Sequence, residues 1–204
     1  MIFPKLNFTE VTSRMQKGRF QALIVGNNHI DRISIVKDVL SKSSITDDSL
    51  TIFSLYNDYY ENFKVHKTLD YEKLRKIMEF QSSNRHQPHT IVIDGCSVDF
   101  KNLTIQQLIF NGGCFLINLI ITSTADTIIL PQIRCNIDYF FVLNDDSEEL
   151  NRLNWRYYCG MFPTFELFNQ HFQANVLDHQ ALVVDNIYNG NDLNKMCLHY
   201  EISE

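Results

Sequence analysis

Short apolar runs recur along the chain between polar stretches, and this pattern predicts alternating strands and helices. Residues 21–25 (QALIV) read as a short buried strand, followed by GNNHIDR and an amphipathic segment, ISIVKDVLSK. Residues 50–55 (LTIFSL) and 90–93 (TIVI) read as further strands, the second ending at Asp94. Residues 70–81 (DYEKLRKIMEFQ) carry Leu74, Ile77 and Met78 at helical spacing, with Asp70 placed as the N-cap. Residues 104–111 read as helix, and 116–122 (LINLIIT) and 137–143 (IDYFFVL) as strands. Residues 145–172 alternate acidic and aromatic residues in a mostly helical pattern, and 180–185 (QALVVD) form a last strand. Strands this short and apolar, alternating with helices, predict an α/β fold: a mostly parallel sheet with helices on both faces. No repeat or linker interrupts the series, so residues 1–204 are expected to form a single domain.

Composition narrows the class. With 204 residues, 45% of them hydrophobic, the chain suits one substantial core, and its seven glycines and four prolines exclude a collagen-like or low-complexity protein. No apolar run approaches membrane-spanning length, and MIFPKLNFTE lacks a signal-peptide core, so a soluble, intracellular protein in a reducing environment is expected. The five cysteines are widely spread without a CxxC pair and read as buried, reduced thiols. His86 and His89 form the one close histidine pair, with no nearby cysteine or second pair to complete a metal site. Cys96 stands near Asp94, but no basic neighbour in sequence favours its thiolate, so thiol chemistry is set aside.

The net charge of −6 is uneven: residues 1–42 hold seven Lys/Arg against three Asp/Glu, and residues 141–204 hold three against ten. A dedicated nucleic-acid binder carries a basic stripe that this chain lacks. The basic N-terminal part could still touch an acidic partner or a phosphate backbone.

In an α/β fold ligands collect beyond the carboxyl ends of the strands, at turns leading into helix N-termini. The first such turn, LIV-GNNHIDRI-SIVKDVL, has the layout of a phosphate-binding loop, with a strand, Gly26, and a helix expected about seven residues on. A working loop reads GxxxxGK[ST]: the second glycine lets backbone N–H groups approach phosphate, the lysine reaches the terminal phosphates, and the hydroxyl holds Mg²⁺. Aligned on Gly26, those positions are Asp31, Arg32 and Ile33. A carboxylate facing a phosphate charge at about 4 Å costs on the order of 4 kcal/mol at an effective dielectric near 20. Isoleucine cannot ligate magnesium. The residues by themselves read as an ordinary strand–helix turn, with Asp31 capping the helix through the N–H groups of Ile33 or Ser34.

Further segments carry a resemblance. The stretches DGCSVDF (94–100), LPQIRCNIDYFFVL (130–143), YYCGMFPTFELFNQHF (157–172) and ALVVDN (181–186) resemble the virion-packaging ATPases of large eukaryotic DNA viruses. These are the poxvirus-type branch of the FtsK/HerA P-loop class. The resemblance spans roughly residues 20–190, and Pro131, Ile133, Arg134, Asn136, Ile137, Asp138 and Tyr139 match that family's pattern, as do Gly160, Met161, Phe162, Pro163 and Phe165.

The resemblance implies a P-loop NTPase-like domain of the RecA or FtsK/HerA type whose chemistry has decayed. Asp31, Arg32 and Ile33 stand where the family's phosphate-loop glycine, lysine and hydroxyl stand. Asp94 is its strand-terminal (Walker B) acid, and Gly95 replaces the second carboxylate. Thr124 replaces the polar sensor, and Asn111-Gly112-Gly113-Cys114 lacks an arginine expected before the fourth strand. Arg134 matches a position that in such ring motors can serve a neighbour's nucleotide, or else pairs internally with an acid such as Asp138. The implied function is a degenerate packaging-ATPase paralogue with a structural, assembly or regulatory role in a virus. It would bind no nucleotide or metal, and would self-associate or join an active homologue in the virion or the infected cell's cytoplasm. The alternative is a divergent but working ATPase, using ATP and Mg²⁺ to drive viral DNA into the capsid.

Overall fold

The computed structural model describes residues 2–43, 45–177 and 179–202. Helix α1 (Phe8–Gln16) leads into β1 (Gln21–Val25), followed by α2 (His29–Lys42), β2 (Leu50–Ser54), the two-residue β3 (Val65–His66) and α3 (Tyr71–Ser83). Next come β4 (His89–Asp94), α4 (Leu103–Asn111), β5 (Ile117–Ser123), the short α5 (Pro131–Arg134) and β6 (Tyr139–Leu143). The chain ends through α6 (Glu148–Tyr158), α7 (Phe165–Asn175), β7 (Gln180–Asp185), α8 (Leu193–Met196) and β8 (Cys197–Glu201). All eight strands form one sheet in the order β3-β2-β4-β5-β1-β6-β7-β8. The pairs from β3 to β6 are parallel, whereas β6 with β7 and β7 with β8 are antiparallel.

The period-two rule of strands sorts the apolar runs onto two faces. Leu23, Val25, Ile91, Ile93, Leu119 and Ile121 face a core built with α3, α4, α6 and α7. Ala22, Ile24, Val92 and Ile120 face the opposite core, closed by α1 and α2. Both faces are covered, which is why the central strands read as continuous hydrophobic runs.

Helix 70–81 forms as read, with the Asp70 carboxylate accepting the N–H groups of Glu72 and Lys73. The stretch 145–172 is mostly helical, as read, in two helices broken between Tyr158 and Phe165. The break holds the GMFPTF segment, where Phe162 is buried against Phe3 and Phe168 and its carbonyl accepts the Trp155 indole N–H. Thr164 then caps α7 by accepting from the Leu167 N–H. One edge of the sheet is closed by the N-terminal segment: Lys5 bridges to His199 in parallel, the Leu6 N–H donates to the His199 carbonyl, and the His199 N–H donates to Pro4.

Candidate functional site

The carboxyl ends of β1, β2, β4, β5 and β6 lie along one edge of the sheet, and the turn after β1 is shorter than expected, with the helix starting three residues after Gly26. Helix α2 begins at His29, so Asp31, Arg32 and Ile33 lie inside it. The cap is Asn28, whose side-chain oxygen accepts from the Ile30 N–H at 3.0 Å. Asp31 is not the cap. Its carboxylate accepts from the Asn28 amide at 2.7 Å and pairs with His179 at 2.8 Å, tying the helix start to the turn before β7.

N–H groups of the turn are engaged internally. The Gly26 N–H donates to the Ser123 carbonyl at 3.1 Å, and the Asn27 N–H donates to the Asp145 carboxylate at 3.1 Å. Arg32 is buried with 3% exposure and turns back on the loop, donating through Nη1 to the Gly26 carbonyl. Its Nε is buried with no hydrogen-bond partner among the described residues. Ile33 is buried in the α2 core. Gly26 is needed for close approach: a Cβ there would stand 2.6 Å from the Leu143 Cβ at the end of β6. Burial pushes the Asp145 carboxyl up, against the opposing pull of the Asn27 N–H, the Asn154 amide and the Arg32 charge.

Asp94 is fully buried at the end of β4 and held by three hydroxyl groups. It accepts from the Ser54 hydroxyl at 2.9 Å, the Tyr60 phenol at 3.2 Å and the Thr122 hydroxyl at 2.6 Å. Burial, with Asp94 beside it, pushes the Tyr60 phenol far up and keeps it a donor. Thr122 in turn accepts the Gly95 N–H at 3.0 Å. Gly95 has a φ of +64°, and a Cβ there would fall 2.3 Å from the Tyr56 ring, so a carboxylate-bearing residue cannot replace it without moving that ring. Thr124 follows β5 and shares a 3.0 Å hydrogen bond with Thr127.

These residues surround a cavity of about 360 Å³ whose walls include Arg32, Tyr56, Gly95, Thr122 and Thr124. The edge thus brings together six of the eight residues read from sequence; Ile33 is in the core beside it. Arg134 is elsewhere. It ends α5, which precedes β6, so it sits at the opposite, amino end of the sheet. The five residues of β1 separate the two ends by about 17 Å at 3.3–3.4 Å per residue. Nor does Arg134 pair with Asp138. Its Nη1 donates to the Tyr157 carbonyl at 2.5 Å and its guanidinium lies 5.4 Å over the Tyr157 ring. Asp138 instead pairs with Arg14 at 3.1 Å and accepts the Gln21 N–H, pinning the start of β1 beside β6.

Sequence reasoning missed Ser54, Tyr60, Thr122 and Asp145. No local signal marks them, because each reaches the site only through strand order. A smaller cavity of about 230 Å³ opens at the amino end between Thr12, Met15, Thr90 and Asn118, with no charged side chain in its described walls. Among the described residues no group of three metal-ligating side chains occurs, and no helix is long and apolar enough to cross a membrane.

No family model matches the chain. Protein L437 of Acanthamoeba polyphaga mimivirus is 27% identical over 100 residues, which cover 47% of this chain and 35% of that protein. Protein 088R of Invertebrate iridescent virus 3 is 26% identical over 114 residues, 54% of this chain and 44% of that protein. The matched regions therefore span less than half the length of these viral relatives. The fold is similar to the genome packaging NTPase B204 of Sulfolobus turreted icosahedral virus 2 in complex with AMPPCP. The TM-score is 0.65 at 12% identity, over 91% of this chain and 98% of that one. It is also similar to the conjugation coupling protein TcpA of pCW3, with a TM-score of 0.52 at 11% identity, over 90% of this chain and 60% of that one. The eight-stranded, mostly parallel α/β sheet is thus that of the P-loop NTPase-like packaging proteins.

Proposed function

We propose that this chain is a packaging-ATPase-like viral protein that has given up nucleotide chemistry and acts in virion assembly or its regulation. The observation that carries the reading is the closed turn after β1. Its N–H groups at Gly26 and Asn27 are spent on Ser123 and Asp145, and the Arg32 guanidinium binds the Gly26 carbonyl. Phosphoryl transfer depends on positioned donors, a metal and charge compensation. Here the Gly26 and Asn27 N–H groups are turned to internal acceptors, Asp94 accepts from three hydroxyl groups, and Gly95 leaves no room for a second carboxylate. ATP and Mg²⁺ are therefore not expected as cofactors. The role that fits is one of protein contact, with a copy of itself or an active homologue, in the virion or the infected cell's cytoplasm.

The test is Mg·ATP titration by calorimetry, with hydrolysis assayed on the protein alone and mixed with an active packaging ATPase. Neither heat of binding nor turnover is expected from the protein alone. Turnover above that of an Arg32→Ala variant would overturn the reading and favour a working translocase.

A further inference from the structure

Six of the large apolar side chains exposed on this protein lie at the carboxyl edge: Ile30, Leu55, Tyr59, Leu103, Ile128 and Leu177. One of them, Leu55, lines the 360 Å³ cavity, and others neighbour its wall residues in sequence or through ring contacts. Leu55 forms part of its wall, Ile128 follows the wall residue Thr127, and Leu103 opens α4 just beyond Phe100. Tyr59 and Ile30 join through His29, whose ring stacks on Tyr56 at 4.8 Å and meets Tyr59 edge-on at 5.9 Å. Leu103 is 80% exposed and Ile128 70%, the degree of exposure that marks a contact surface when such residues cluster.

The exposed charge of this edge is mostly acidic. Exposed Asp58, Asp99, Asp126 and Asp146 follow β2, β4, β5 and β6, where Lys64 and Lys101 are the basic residues, and Lys67 follows β3. The positive charge within the edge, Arg32, is buried and turned toward Gly26. A polyphosphate or nucleic-acid backbone would meet repulsion from the rim, whereas a cationic partner would be steered to it.

We propose that the carboxyl edge is a docking surface for a basic, amphipathic segment of another protein. Its apolar side chains would pack on Leu55, Tyr59, Leu103 and Ile128, and its lysines or arginines would face Asp58, Asp99, Asp126 and Asp146. The inference rests on reading the chain as a contact protein and names the chemistry of its partner. The cavity beside Leu55 gives room for one partner side chain, the pocket-filling anchor that dominates many interfaces.

The experiment measures binding of a fluorescent Leu/Lys amphipathic helix of about 18 residues, five turns, to the full chain. Controls are a scrambled peptide of the same composition and a Leu/Glu counterpart. Saturable binding is expected for the amphipathic basic peptide, at least about tenfold tighter than either control. Leu55→Ser with Ile128→Ser should weaken it about tenfold or more. Asp99→Asn with Asp126→Asn should flatten its salt dependence. Phe80→Ser with Phe110→Ser alters exposed residues near the ends of α3 and α4 that lead to the amino edge, and should change nothing. Equal binding of the scrambled peptide, indifference to the Leu55 and Ile128 changes, or loss with the Phe80 and Phe110 pair would overturn the proposal. So would a self-associated protein that Leu55→Ser converts to monomer, which would assign the surface to a second copy. Binding is read without nucleotide, so ATP turnover would refute the pseudo-ATPase reading and leave the peptide result standing.

Discussion

Asp94→Ala removes the acceptor shared by hydroxyl groups from three separate parts of the chain. Ser54 ends β2, Tyr60 lies beyond it, and Thr122 belongs to β5, and all three donate to this fully buried carboxylate. Each hydrogen bond to a charged group contributes about 1.5–3 kcal/mol, and the terms are not additive. Removing the carboxylate also relieves its own desolvation, which offsets part of the loss. The net cost expected is about 3–5 kcal/mol, at the upper end for single substitutions. For a chain of this length about 1 kcal/mol shifts Tm by 2–4 °C, so Tm should fall by roughly 6–20 °C. Asp94→Asn keeps one oxygen for Ser54 and Tyr60 and turns an NH₂ toward Thr122, so about 1–2 kcal/mol is expected. Denaturant unfolding of the three proteins, with and without Mg·ATP, checks both the order and the indifference to ligand. If Asp94→Ala melts where the wild type does, or if Mg·ATP stabilises the wild type but not Asp94→Asn, the carboxylate is not the internal anchor described.

Gly95→Ala should cost about 1–3 kcal/mol in chemical denaturation, because alanine is strained at this φ and its Cβ meets the Tyr56 ring. Tyr56→Ala made alongside should recover only the steric share. Asn28→Ala should lower stability by about 0.5–2 kcal/mol through loss of the α2 cap, whereas Asp31→Ala should cost less than about 1 kcal/mol, since its histidine partner is largely exposed. Equal effects in thermal melts would return the capping role to Asp31. Burial pushes the His89 imidazole down from 6.5 to about 4, with Lys73 adding to the shift. The unfolded chain therefore binds the proton first, and stability should fall as pH drops from about 6.5 to about 4, by up to roughly 3 kcal/mol. His89→Gln should flatten that part of the stability–pH curve; an unchanged slope would show that other groups set it.

The strands were legible because burial on both faces leaves little but Val, Ile, Leu and Phe in them, and QALVVD runs over the very residues of β7. Helix α1 was not, since FTEVTSRMQ buries only Val11 and Met15. Nor were β3, just two residues long, and β8, whose CLHYE carries a mixed burial pattern at a sheet edge. At the site, the losses of lysine, hydroxyl and second carboxylate could be read directly. The direction of Arg32 could not: a charged residue at that position suggests a ligand, and only the short turn created by the Asn28 cap sends it back to Gly26. The pairing of Asp138 with Arg14 was likewise hidden, because it depends on β6 lying beside β1, more than a hundred residues away in sequence.

The strap of residues 4–6 along β8 sets a timetable for biosynthesis. The Leu6 N–H and the His199 carbonyl are partners far apart in sequence, and the Phe3 N–H likewise donates to the Asn175 side chain. The segment of residues 4–6 must wait for β8 before these backbone groups are paired. Phe3 finds its core sooner, once Phe162 and α7 are made. The central parallel strands can pair earlier, but a chain stalled before β8 would carry an open sheet edge at β7. Such a nascent chain is a target for chaperones and proteases, and the making of β8 becomes the step that closes this side of the sheet.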